Sequence, residues 1–134
     1  MTRLFADTYF YLAVLNERDS AHARVMDFMA RTEVDEMVTT AWVLMEVADG
    51  MNRPDERERC AAFVEDLRND PHTRLREADA ALFWRGFDLY RTRDDKAWSL
   101  TDCVSFVIMS DEGITDALTG DHHFEQAGFT ALLK

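Results

Sequence analysis

Short strand-like runs alternate with longer stretches of helical periodicity, and this alternation constrains the fold more than any other feature. The runs are Leu4–Ala6, Met37–Thr39, Arg74–Arg76, Ala117–Thr119 and Thr130–Leu132. Between them lie the helical stretches. Ser20 is placed to cap Ala21–Arg31, which sets Ala21, Val25, Phe28 and Met29 on one face. Thr40 is placed to cap Ala41–Met51, and Pro54 suits the first turn of a helix reaching about Leu67. Ala78–Tyr90 repeats Leu82, Phe83, Phe87 and Tyr90 at helical spacing, and Thr101–Ser110 is stopped by Gly113. Strands alternating with helices predict a mostly parallel sheet covered on both faces. Such sheets bind ligands beyond the carboxyl ends of their strands. No repeat or linker interrupts the pattern, and 134 residues at 47% hydrophobic predict a single domain over 1–134.

Within this pattern four acids stand out. The stretch "LFADTYFYLAVL" is apolar except for Asp7, and a charge there costs several kcal/mol unless something pairs with it. Glu46 interrupts "TTAWVLMEVADGM", which is apolar nearly all round a helical wheel. Asp102 sits in the first turn of "SLTDCVSFVIMSDEG", and Asp121 follows the run "ALTG". Asp7 and Asp121 each follow a predicted strand, so both are expected at one edge of the sheet. Each acid has an ordinary explanation. Asp7 and Asp121 can cap helices, Asp102 can favour the positive end of its helix, and Glu46 can lie on a solvent-facing sliver. If all four converge, their repulsion is severe and some pKa values rise. A hard divalent cation removes that repulsion, and Mg²⁺ or Mn²⁺ prefers carboxylate oxygen. The expected partner of Asp7 is therefore a shared metal ion.

The formal net charge of -11 excludes a broad basic surface for gripping nucleic acid, though not a local basic rim. Two such rims are candidates: Arg53, Arg57 and Arg59 after the Glu46 helix, and Arg91, Arg93 and Lys96 before the Asp102 helix. Dense neighbouring acids also fit these residues as solvated charge pairs. Trp98 is a candidate for base stacking, with core packing as the commoner use. Cys60 and Cys103 fit neither a zinc spacing nor a disulfide framework and read as reduced thiols of a cytoplasmic protein. No cleavable leader and no membrane-spanning run is expected. His22, His72, His122 and His123 form no metal-ligand spacing in sequence; His122 and His123, beside Asp121, are candidates to contact RNA or the leaving group, with turn and helix surface as the commoner use; and no glycine-rich phosphate loop or based serine is visible.

Four stretches together resemble the PIN domain family, in particular its VapC-type ribonuclease toxins. They are "FADTYFYLAVLN", "TTAWVLMEVADGMN", "SLTDCVSFVIM" and "ALTGDHHFEQAGF", in the family's order and spanning most of the chain. The resemblance implies a three-layer α/β/α domain and a Mg²⁺- or Mn²⁺-dependent ribonuclease. The family's four acids fall on Asp7, Glu46, Asp102 and Asp121, which would serve as both metal ligands and catalytic residues. Thr8, Ser99 and Thr101 are candidates for the small hydroxyl residues that the family keeps near its acids. Asp116 reads as a solvated strand-end residue.

The implied reaction is hydrolysis of an RNA phosphodiester that leaves a 5′-phosphate and a 3′-hydroxyl. The implied partners are an RNA substrate, a second copy in a homodimer and a small antitoxin protein, as in type II toxin–antitoxin pairs. Met26, Met29, Met37, Met45 and Met51 crowd the early helices and suit either an adaptable docking surface or core filling. Two readings keep the fold and change the biology: a stand-alone RNA-processing nuclease, and a degenerate module that binds RNA or protein without cutting. A haloacid-dehalogenase-type phosphatase wants a second Asp two residues after the first, where this chain has Tyr9. A phosphorylated receiver domain wants a paired acid and a late Lys, and neither is present.

Overall fold

The computed structural model describes residues 1–134. The elements run β1 (Arg3–Ala6), α1 (Thr8–Leu15), α2 (His22–Arg31), β2 (Glu36–Thr40), α3 (Ala41–Gly50) and α4 (Pro54–Asn69). They continue with β3 (Thr73–Arg76), α5 (Ala80–Thr92), α6 (Leu100–Glu112), β4 (Asp116–Leu118), α7 (His122–Gln126) and β5 (Thr130–Ala131). The predicted strands and helices are present, with ends shifted by one or two residues.

The strands form one sheet in the order β3-β2-β1-β4-β5. Every neighbouring pair is parallel, with Phe5 opposite both Val38 and Ala117. Parallel strands need crossover connections, and the helices that make them cover the sheet. β1 lies in the middle, which is why Leu4, Phe5 and Ala6 form an unbroken apolar run with no more than 2% exposure. Around it α1 packs on α2 and α3, α3 on α4, and α5 on α6. The last of these crossings depends on Gly86, where a Cβ would stand 2.4 Å from Val104 Cγ2.

Local chemistry explains most helix ends. The Thr40 hydroxyl accepts the Val43 N–H, and Pro54 opens α4, as the sequence predicts. Gly113 ends α6 in the left-handed conformation at φ 67°, where a side chain would be strained. Ser20 does not cap α2. Ala21 holds the N-cap position with no side-chain capping bond, and the Asp19 carboxylate accepts the Ala21 N–H at 2.8 Å in the turn just before the helix. The α3 wheel is less buried than its composition predicts, since Val43, Leu44 and Val47 point inward while Met45 is 56% exposed. Cys60 and Cys103 are free and buried in α4 and α6.

The topology contains one switch point. From β1 the chain builds outward through β2 to β3, then returns to the other side of β1 to lay down β4 and β5. The connections leaving β1 and β4 therefore part in opposite directions, and a crevice opens at their carboxyl ends. Asp7 follows β1 and Thr119 follows β4 at that crevice.

Candidate active site

A cleft of about 470 Å³ lies at the switch point, and Asp7, Glu46, Asp102 and Asp121 all line it. Each comes from a different part of the chain. Asp7 follows β1, Glu46 projects from the middle of α3, Asp102 from the first turn of α6, and Asp121 precedes α7. The four acids singled out in the sequence are thus brought together.

Asp7 occupies the N-cap position of α1, yet its side chain makes no capping bond. Instead its Oδ2 accepts the Thr119 hydroxyl at 2.9 Å. Capping therefore does not explain this carboxylate. It is only 5% exposed, and burial lifts its pKa from 3.8 to about 7. The Thr119 hydrogen bond pulls the value back, while the charges of Asp102 and Glu46 push it up. Thr119 has a second task, since its Oγ1 also accepts the Asp121 N–H at 3.0 Å. One buried hydroxyl thereby ties the end of β1 to the turn that carries Asp121.

The other acids are also anchored. The Thr8 hydroxyl donates to Glu46 Oε1 at 2.6 Å, which aims Glu46 back toward the end of β1. Asp102 forms a capping box with Ser99: its N–H reaches Ser99 Oγ at 3.0 Å, and its Oδ2 accepts the Ser99 N–H at 3.2 Å. Burial raises the Asp102 pKa; the Ser99 N–H lowers it and the Asp121 charge raises it further. Asp121 caps α7 through the His123 N–H at 2.9 Å. The ordinary roles foreseen for Asp102 and Asp121 are therefore real, and these residues face the cleft as well.

Sequence spacing shows no metal-ligand pattern among the histidines and leaves the roles of His122 and His123 open; the structure places both beside Asp121. The first turn of α7 gathers Asp121, His122 and His123 so that their ligand atoms lie within 4.8 Å of one another. His123 Nδ1 is buried without a hydrogen bond, 3.3 Å from Asp121 Oδ1 and 3.4 Å from Asp102 Oδ2. Thr119 is a residue that sequence reasoning missed. The only signal for it is a hydroxyl at the end of an apolar strand.

Other candidates lie elsewhere. Asp116 opens β4 at the opposite end of that strand from the cleft. Trp98 is buried against Phe106 and donates from Nε1 to Gln126, so it packs in the core and offers no face to a base. Thr101 gives its backbone carbonyl to the Ser105 hydroxyl, and its own hydroxyl makes no bond to an acid. Arg53, Arg91 and Arg93 pair with neighbouring acids. Arg57 and Arg59 donate to the backbone carbonyls of Asn52 and Leu15. The basic rims are therefore only partly free.

The chemistry of the donor set fits a divalent cation. Four carboxylates face one cleft, and no Lys or Arg lines it. Elsewhere the same protein neutralises a carboxylate fully. Glu112 lies among Arg3, Arg74 and Arg76, and the Arg74 hydrogen bond leads in holding its pKa near 2. The cleft acids have no such partners, and oxygen-rich sites of this kind suit hard cations.

Known proteins share this arrangement of strands and helices. The 23S rRNA-specific endonuclease VapC20 of Mycobacterium tuberculosis is 28% identical over 126 residues, 94% of this chain and 95% of the relative. The crystal structure of that protein, described as a Sarcin-Ricin loop cleaving toxin, superposes with a TM-score of 0.87 at 27% identity, covering 98% of this chain and 99% of the other. FitAcB from Neisseria gonorrhoeae matches with a TM-score of 0.66 over 96% of this chain and 95% of the other, and at 15% identity that likeness shows the fold alone. The PIN domain family model matches residues 4–130. With that match over most of its length, this chain belongs to the PIN domain family.

Proposed function

We propose that this chain is a metal-dependent endoribonuclease, the toxin of a type II toxin–antitoxin pair. The observation that carries the reading is the convergence of Asp7, Glu46, Asp102 and Asp121 on one cleft that no Lys or Arg lines. The likeness to a 23S rRNA-specific endonuclease over nearly the whole of both chains supports it. Asp7 and Asp102 are the principal ligands of Mg²⁺ or Mn²⁺, with Glu46 and Asp121 completing the site. A bound cation supplies positive charge against a phosphate oxygen and lowers the pKa of a water it holds. The chain's own residues keep the ligands in place. Thr119 holds Asp7, Thr8 holds Glu46, and Ser99 holds Asp102. These bonds fix the carboxylates before substrate arrives, so little reorganisation is left for the reaction. Large-subunit ribosomal RNA is the substrate class to test first.

The biological setting follows the same reading. The protein works as a homodimer and is silenced by a small antitoxin. Trp84 at 58% exposed and Met45 at 56% are apolar surface available to such partners. The strong negative charge favours a partner that is basic.

The test is cleavage of total RNA and of ribosomes with Mg²⁺ or Mn²⁺, compared with a chelator and with Asp102→Asn. The expected result is metal-dependent cutting that leaves 5′-phosphate and 3′-hydroxyl ends and is lost in the variant. Cutting that persists in chelator, or in Asp102→Asn, overturns the assignment.

A further inference from the structure

The position of the His123 imidazole in the cleft is left unexplained by the proposed set of four acids. Its Nδ1 is shielded from water and makes no hydrogen bond, although two carboxylate oxygens lie 3.3 and 3.4 Å away. A buried nitrogen with no partner is costly. A direct ion pair with either acid would be expected to align and shorten to below about 3 Å. The nitrogen stands at nearly equal distance from the Asp102 and Asp121 carboxylates, within reach of a cation that either of them holds. Two donors on adjacent corners of an octahedron with bonds of about 2.1 Å stand about 3 Å apart. His122 is the less suitable of the two histidines. Its side chain is 67% exposed against 21% for His123, and the only acid it approaches is Asp121, at 3.6 Å.

We propose that His123 contributes an imidazole nitrogen to the cation site formed with Asp102 and Asp121, and so biases it toward first-row transition cations such as Mn²⁺ at the expense of Mg²⁺. The proposal rests on the metal-dependent reading above and deepens it. The selectivity follows from donor type. Mg²⁺ takes oxygen donors almost without exception, whereas imidazole suits Fe, Ni, Cu and Zn, and Mn²⁺, though it prefers carboxylate oxygen, accepts a nitrogen among its ligands more readily than Mg²⁺ does. One nitrogen among carboxylates therefore separates cations that an all-oxygen site would hold more evenly.

The experiment is binding of Mn²⁺ and Mg²⁺ to the full chain by calorimetry, for the wild type, His123→Asn and His122→Ala. It is joined to electron spin-echo spectroscopy of the Mn²⁺-loaded wild type. The expected results are ¹⁴N coupling to Mn²⁺ in the wild type and in His122→Ala, and its loss in His123→Asn. Mn²⁺ binding weakens in His123→Asn by about tenfold or more, the scale on which even supporting partners of a metal ligand act. Mg²⁺ binding changes by less than about threefold, because the lost nitrogen contributes little to an oxygen-seeking ion. A wild type that binds Mn²⁺ without ¹⁴N coupling overturns the role of His123 and leaves the four-acid reading standing. Equal weakening for both cations also overturns it, since His123 then acts through charge or positioning. A wild type that binds neither cation overturns this proposal and the metal-dependent function together. The spectrum of the wild type needs no variant, so misfolding of His123→Asn does not shield the proposal.

Discussion

Replacing Asp7 with Asn should make the metal-free protein more stable, and increasingly so as pH rises. The buried carboxyl holds its proton up to about pH 7 in the folded state, against 3.8 for the ordinary value. Between those two values the folded chain carries a proton that the unfolded chain has lost. Stability conferred by that proton is complete below 3.8 and is lost as pH climbs through about 7. From about pH 5 to about pH 7 the loss is roughly 1.4 kcal/mol per unit, or about 2–3 kcal/mol in all. Asn cannot titrate, keeps an oxygen for the Thr119 hydroxyl, and escapes this loss. In chelator the difference in melting temperature should therefore move in favour of Asp7→Asn by roughly 10 °C between about pH 5 and about pH 8. Asp102 titrates in both proteins, so it largely cancels in the comparison. Thermal melts followed by circular dichroism read the result directly. Adding Mn²⁺ should then raise the melting temperature of the wild type and leave the variant nearly unchanged, because the cation binds the folded, ionised site. A melting-temperature difference that stays constant across this range, or shrinks as pH rises, refutes the claim that Asp7 is a strained acid awaiting a cation.

Three further perturbations test other parts of the structure. Thr119→Val keeps the shape but removes the hydrogen bond that lowers the Asp7 pKa. The pH–rate profile of metal-dependent cleavage should move to higher pH and the rate near neutrality should fall by about tenfold or more, while an unchanged profile refutes this role. Glu112→Gln removes a carboxylate held near pKa 2 by Arg74, Arg76 and Arg3, so its contribution is complete above 4.5 and lost as pH falls through about 2. The full shift equals about 3 kcal/mol, which the partial exposure of the arginines reduces to about 1–2 kcal/mol. Urea unfolding should show that deficit at neutral pH and little of it near pH 2. Gly86→Ala places a Cβ 2.4 Å from Val104 Cγ2 and 3.1 Å from Val104 Cα. Overpacking of about 1–3 kcal/mol outweighs the gain of up to about 1 kcal/mol in helix propensity, so stability should fall and Val104→Ala should partly restore it. A stabilised Gly86→Ala refutes the close crossing of α5 and α6.

Much of this protein is legible in the order of its residues. The alternation of strand-like and helical stretches determines a parallel α/β sheet, because parallel strands need covering crossovers. Thr40, Pro54 and Gly113 mark helix ends correctly because capping is local, decided within three or four residues. The four acids stand out because a carboxylate in an apolar run demands a partner. The reading fails at Ser20, because α2 starts one residue later with Ala21 at its N-cap and no side-chain cap, after a turn in which Asp19 bonds the Ala21 N–H. What only the tertiary structure decides is which groups meet. Thr119 bonds Asp7 across 112 positions of sequence, and Thr8 bonds Glu46 across 38. His123 enters the acid cluster only because α7 begins where β4 ends beside α6. Those meetings depend on strand order, with β4 placed against β1. Residue types and spacings carry the chemistry available to a chain, while the distance between two side chains far apart in sequence is set by packing the whole sheet.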